Sequence, residues 1–163
     1  MNKLTVKLAV ILFILLLVSI AFGCAAPALE TVVFPDENLE AVIRDALDKP
    51  EGDITPAELA GLTMLNAEVL RITDLTGIEY CTNLSELDLD INQISDISPL
   101  ASLTSLEMLS LTANQISDIT PLVENSGLSG TISLGNNNLD LSEGSEDLKN
   151  IRILEARGVE VEY

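Results

Sequence analysis

The chain has 163 residues, 8 Lys plus Arg against 26 Asp plus Glu, no His and no Trp, and a formal net charge of -18. A surface this acidic repels phosphate backbones and gives nucleic acid no electrostatic hold. The absence of His excludes a Ser-His triad and a His-ligated metal within one chain. At 47% hydrophobic the sequence is too apolar for a disordered acidic tail, and its length fits one folded domain.

Residues 1–23 read as a secretory signal. Lys3 and Lys7 precede an apolar run from Leu8 to Val18, followed by Ser19, Ile20, Ala21, Phe22 and Gly23. Ala21-Phe22-Gly23-Cys24 resembles the lipobox of bacterial lipoproteins, although such boxes usually open on Leu and a small residue. The resemblance implies lipidation of Cys24 as the mature N-terminus. That would anchor an exported protein to the bacterial cell envelope, on the extracytoplasmic side. Cleavage near Ala25 by an ordinary signal peptidase is one alternative. An uncleaved anchor is another, but the apolar part ends near Phe22, short of the roughly 20 residues a spanning helix needs. Removing residues 1–23 takes away two Lys and no acid, so the mature charge is -20.

Residues 24–33 read as a spacer and residues 34–61 as a helical N-terminal cap. Phe34-Pro35-Asp36 starts a helix running to about Leu47, with Asp36 as N-cap and Leu39, Val42, Ile43, Ala46 and Leu47 on one apolar face. Thr55-Pro56-Ala57-Glu58 is a capping box with Pro at the first helical position, giving a short second helix.

Residues 62–141 are organised by a period of 22. Leu84, Leu87, Leu89, Asn92, Ile94, Ile97 and Leu100 recur as Leu106, Leu109, Leu111, Asn114, Ile116, Ile119 and Leu122. This L-x-x-L-x-L-x-x-N-x-I frame is the leucine-rich-repeat signature. One period upstream, Leu62, Leu65, Ala67, Leu70, Ile72, Leu75 and Ile78 are all apolar, with Leu70 in place of Asn. Downstream, Ile132, Leu134, Asn137 and Leu139 are displaced by 23, so one residue is inserted between Leu122 and Ile132. The expected fold is an α/β solenoid of about four coils.

Each coil needs a short strand, such as Glu86 to Asp90 or Met108 to Thr112, with its Leu residues facing inward and alternate residues outward. Asn92, Asn114 and Asn137 are expected to turn inward and satisfy backbone groups at the bend. Pro99 and Pro121 are expected to end the returning segment. Residues 142–163 read as a helix-plus-strand C-terminal cap. Ser145-Glu146-Asp147 opens the helix, Lys149, Arg152 and Arg157 lie nearer its end, Gly158 stops it, and Val159 to Tyr163 alternates as a strand. A fifth coil opening at Leu148 is the less favoured reading, because no Asn or Leu frame follows.

The repeats NQISDISPL and NQISDITPL resemble the 22-residue repeats of internalin-type bacterial surface proteins, and the helical segment before the first coil is similar to that family's cap. The resemblance implies a curved solenoid with strands on a concave face and protein-binding use. The chain has few coils, no immunoglobulin-like module and no C-terminal wall-sorting motif, so binding of a host receptor does not carry over.

The outward strand positions are the one extended surface this architecture offers. They are Met64, Asn66, Glu68 and Val69 in the first coil and Glu86, Asp88, Asp90 and Ile91 in the second. The third contributes Met108, Ser110, Thr112 and Ala113, and the fourth Thr131, Ser133, Gly135 and Asn136. Acids beside Met and aliphatic side chains suit a basic or mixed protein partner. Aromatic anchors are missing from this surface, which argues against high affinity and against a sugar-stacking platform. The competing reading is a solvated acidic sheet in an envelope lipoprotein with no specific partner.

Three further features have bland readings. Asp88-Leu89-Asp90-Ile91-Asn92 opens like a calcium loop but fails at Gln93 and Pro99, where Gly and a bidentate Glu are needed, leaving only weak calcium binding by the acidic face as an alternative. Asp74, Asp96 and Asp118 form a column at the repeat spacing, better read as a turn device than as a cation ladder. Cys81 falls in an apolar core slot between Leu59 and Leu103, where a free Cys acts as a small hydrophobe. No nucleophile, base and orienting group recur together, so no enzyme activity, metal or cofactor is expected.

Overall fold

The structure, a computed structural model, describes residues 30–163. The signal segment, the lipobox and Cys24 lie outside the described residues. Val32, in the segment expected as a spacer, forms an antiparallel bridge with Ile54.

Helix α1 (Glu37–Ala46) begins where the Asp36 side chain accepts the N–H groups of Asn38 and Leu39, which the helix itself leaves unpaired. Its Leu39 and Ile43 are buried, Val42 and Leu47 are half-buried, and Ala46 in the last turn is exposed rather than part of the apolar face. Helix α2 (Pro56–Leu59) carries the capping box, with Thr55 and Glu58 exchanging side-chain and backbone hydrogen bonds.

Five parallel strands follow in chain order: β1 (Met64–Asn66), β2 (Glu86–Asp88), β3 (Met108–Ser110), β4 (Thr131–Ser133) and β5 (Glu160–Glu162). Leu65, Leu87, Leu109, Ile132 and Val161 stand in register along the inner face. The first four are fully buried, and the half-buried Val161 packs against the same core. Each strand is three residues long, shorter than the expected Glu86 to Asp90 and Met108 to Thr112. Beyond Asp88 and Ser110 only single bonds persist, such as Leu89 N–H to the Ser110 carbonyl, before the chain turns away.

That turn is built by asparagine. Asn92 accepts the N–H groups of Leu70 and Ile72 and donates to the carbonyls of Ala67, Leu89 and Asp90. Asn114 and Asn137 repeat the arrangement on the following coils. A buried amide thereby closes its own coil and ties it to the previous one, pairing backbone groups that the bend would otherwise leave without partners.

The returning segments carry short helices: 3-10 turns at Ile78–Tyr80 and Ser98–Ser102, and α3 (Thr120–Glu124). Pro99 and Pro121 lie in the first turns of two of these, so they start the returning helix rather than end it. Their missing N–H costs nothing there. The extra residue of the fourth coil is absorbed at Gly130. Thr131 N–H pairs with the Glu107 carbonyl and Gly130 adopts φ +70. An added Cβ at Gly130 would overlap the Glu107 carbonyl oxygen.

The C-terminal segment combines features of both readings of the sequence. Helix α4 (Glu146–Ala156) replaces the convex turn and packs on α3, and β5 then adds to the sheet beside β4. Ser145 caps α4, and Gly158 follows it at φ +91. The last turn holds no basic residue: Lys149 pairs with Glu146 near the start, and Arg157 donates to the Val123 carbonyl. The expected match of cations to the helix C-terminus is therefore limited to the cap residue.

Candidate functional site

The strand register places the outward side chains in rows across the sheet. One row runs Met64, Glu86, Met108, Thr131 and Glu160, and the next Asn66, Asp88, Ser110, Ser133 and Glu162. Glu160 and Glu162 extend the acidic surface to the fifth strand, which the repeat frame did not reveal because β5 lies 29 residues after β4 in register. Val69, Ile91, Ala113 and Asn136 form a further row just beyond the strands, with φ of 61, 55, 58 and 57.

The sequence-predicted residues do share one face, but not equally. Met64, Val69, Ile91 and Met108 are 59%, 59%, 52% and 56% exposed, and Asn66, Glu68 and Glu86 are also open. Asp88, Asp90, Ser110 and Thr112 are half-buried because they are engaged with one another. Asp90 accepts the Ser110 hydroxyl at 2.7 Å and the Thr112 N–H at 2.6 Å, while Asp88 accepts the Asp90 N–H. On the far side Ser133 donates to Glu162 at 2.9 Å. These bonds hold the carboxylates in place across strand boundaries, a local rigidity with no counterpart in a freely solvated acidic surface.

Among the described residues no cation forms an ion pair on the face. The ion pairs these residues form are Arg44–Glu40, Lys49–Glu58 and Lys149–Glu146, all in the helical segments. Met64, Asn66, Glu86, Asp88, Met108 and Ser110 line a shallow depression of about 170 Å³. That is below the ~300–1,000 Å³ of small-molecule sites. The face offers area and charge, not a pocket.

The aspartate column belongs to the turns. Asp74, Asp96 and Asp118 each accept the N–H two residues on, from Thr76, Ser98 and Thr120, at 2.8 Å. Asp140 does the same with Ser142 and is a fourth member that the sequence reading overlooked. The Thr120 hydroxyl and N–H hold Asp118 below the usual carboxylate value, and those of Ser142 do so for Asp140. Among the described residues no three His, Cys, Asp or Glu side chains are grouped to hold a metal ion.

Cys81 is fully buried, and burial, aided by the charge of Glu79, pushes its thiol up to about 12. Sequence reasoning also missed Asn125. It occupies the same core column as Cys81 and Leu103, yet donates to the Leu100 and Leu103 carbonyls and accepts from Gly127 and Leu128. A polar residue at an apolar slot was the available signal.

A parallel sheet of stacked short strands, asparagine-lined bends and a 22-residue period define a leucine-rich-repeat solenoid. The leucine-rich-repeat family model matches twice, over residues 60–102 and 82–124. The fold resembles that of internalins. It is similar to an internalin (InlF) of Listeria monocytogenes with a TM-score of 0.65 and 35% identity, covering 71% of this chain and 35% of that one. Looser likenesses are to the functional domain of InlJ from Listeria monocytogenes, at TM-score 0.49, 26% identity and coverage of 69% and 31%. Another is to a structure of the CBM51-2 and INT domains of ZmpB from Clostridium perfringens, at TM-score 0.48, 34% identity and coverage of 53% and 18%. The chain spans about a third of the length of the InlF chain it matches. No curated protein matches it.

Proposed function

We propose that this protein is an extracytoplasmic, membrane-tethered leucine-rich-repeat protein that recognises a protein partner through the acidic open face of its sheet. The residues assigned to the contact are Met64, Asn66, Glu68, Glu86, Asp88, Asp90, Ile91, Met108, Ser110 and Thr112. The observation that carries the reading is the combination of fixed carboxylates without cation partners and exposed apolar side chains on one surface. Carboxylates fixed by neighbouring donors meet a basic partner without further ordering cost. The tether rests on the signal segment and Cys24. Confinement to a surface raises effective concentration, so weak contacts suffice.

The second reading, an envelope lipoprotein without a specific partner, is favoured by the missing aromatic anchors. The aromatic residues after the signal segment are Phe34, Tyr80 and Tyr163, and none stands in the rows of the face. A pull-down with Glu86→Ser, Asp88→Ser and Asp90→Ser combined separates the two. Loss of captured partner with intact circular dichroism supports recognition by the face, and capture equal to wild type sinks it. Cys24→Ala should release the protein from membranes. Persistent membrane association points to a retained N-terminal helix.

A further inference from the structure

Val69 and Ile91 stand where neither the backbone nor the solvent favours them. Both are β-branched at φ of 61 and 55, in the left-handed region that such residues rarely enter, and both are more than half exposed. The same row holds Ala113 at φ 58 and Asn136 at φ 57, and of the four Asn tolerates this conformation best. Two consecutive coils therefore hold aliphatic side chains open to water at a strained position. Burial among the described residues gives no reason for them.

Their neighbours limit what covers them. Glu68 precedes Val69 and Asp90 precedes Ile91, and the Val69 N–H donates to the Asp90 carbonyl, so the two aliphatic groups sit on adjacent coils beside carboxylates. Adjacent strands lie ~4.8 Å apart, which places the two side chains within reach of one partner segment.

We infer that Val69 and Ile91 are the apolar anchors of the recognition face, and that the segment they receive is a basic one whose aliphatic side chains are flanked by Lys or Arg. This rests on the assignment of the face to protein recognition. Charge complementarity selects the cations, and the aliphatic pair supplies the area that acids alone cannot contribute to affinity.

The test uses the full chain in zwitterionic nanodiscs, with empty nanodiscs as background, and three 12-residue Gly-Ser peptides. One carries two Lys and two Ile, the second two Lys and no Ile, the third two Glu and two Ile. Binding is read by fluorescence anisotropy and stability by the urea midpoint. The Lys–Ile peptide should bind at least fivefold tighter than the Lys-only peptide, and the Glu–Ile peptide should not bind. Val69→Asn with Ile91→Asn should leave the urea midpoint unchanged or raised, reduce Lys–Ile binding to the Lys-only level and leave Lys-only binding unchanged. Wild-type binding of the Lys–Ile peptide by the double variant, or a lowered urea midpoint, overturns the inference. Equal binding of both Lys peptides to the wild type also overturns it while leaving the acidic face intact. Failure of both Lys peptides to bind the wild type removes the anchors and the acidic face together.

Discussion

The Asp36 carboxylate accepts the Thr73 N–H at 2.8 Å across 37 residues of sequence. Its second oxygen also receives the Thr73 hydroxyl and the Asp74 N–H, while the first caps α1 through Asn38 and Leu39. One buried carboxylate thus starts the N-terminal helix and fastens it to the first coil. Asp36→Ala should destabilise the fold by roughly 2–4 kcal/mol in urea denaturation, since several buried donors lose their acceptor. Asp36→Asn keeps the cap acceptor but loses the docking oxygen, so it should fall between Ala and wild type.

The same residue sets an acid limb. Burial alone would raise its pKa, but the bonds from Thr73, Leu39 and Asp74 outweigh it and hold the value below the usual 3.8. Its stabilisation is therefore complete above pH 3.8 and fades as pH falls through the folded value. Glu58, drawn down to about 2 by Lys49 and the Thr55 cap, acts in the same direction. Urea midpoints measured from pH 6 to pH 2 should decline, and Asp36→Asn should flatten part of that decline.

Asn114→Ala removes the amide that serves Ile94, Leu89 and Leu111. Leaving those buried groups unpaired should cost about 3 kcal/mol, measurable as a drop in the urea midpoint. Amides between the second and third coils should then exchange faster than those of α4.

Much of this was legible in advance, and the reason is periodicity. A core built by stacking identical turns writes its inward positions into the sequence every 22 residues, so Leu87, Asn92 and Ile97 could be placed from spacing alone. The N-caps at Asp36, Thr55 and Ser145 were equally plain, because capping is local chemistry. What escaped was nonlocal. The bond from Asp36 to Thr73, the engagement of Asp90 by Ser110 and the entry of Glu160 and Glu162 into the face all depend on which coils meet. The left-handed backbone of Val69 and Ile91 was hidden for the opposite reason. Their residue types argue against that conformation.

The glycines at φ +70 and +91 should separate crowding from conformational preference. Gly158→Ala meets no atom within 4 Å and should cost about 1 kcal/mol from backbone preference alone. Gly130→Ala adds a clash with the Glu107 carbonyl and should cost clearly more, read as the difference between their urea midpoints.

Cys81 should not react with a thiol reagent in the folded protein, because it is buried and its thiolate is suppressed by a value pushed up to about 12. Full reaction should follow in denaturant. Trapping without denaturant would contradict the packed core column.

The most direct measurement places a photo-crosslinking amino acid at Glu86 on the face or at Ser102 on the helical side, in the protein displayed on intact cells. A defined crosslinked species from position 86, absent from position 102 and diminished by high salt, is the expected result. Equal crosslinking from both positions, or none from position 86, would contradict recognition by the acidic face.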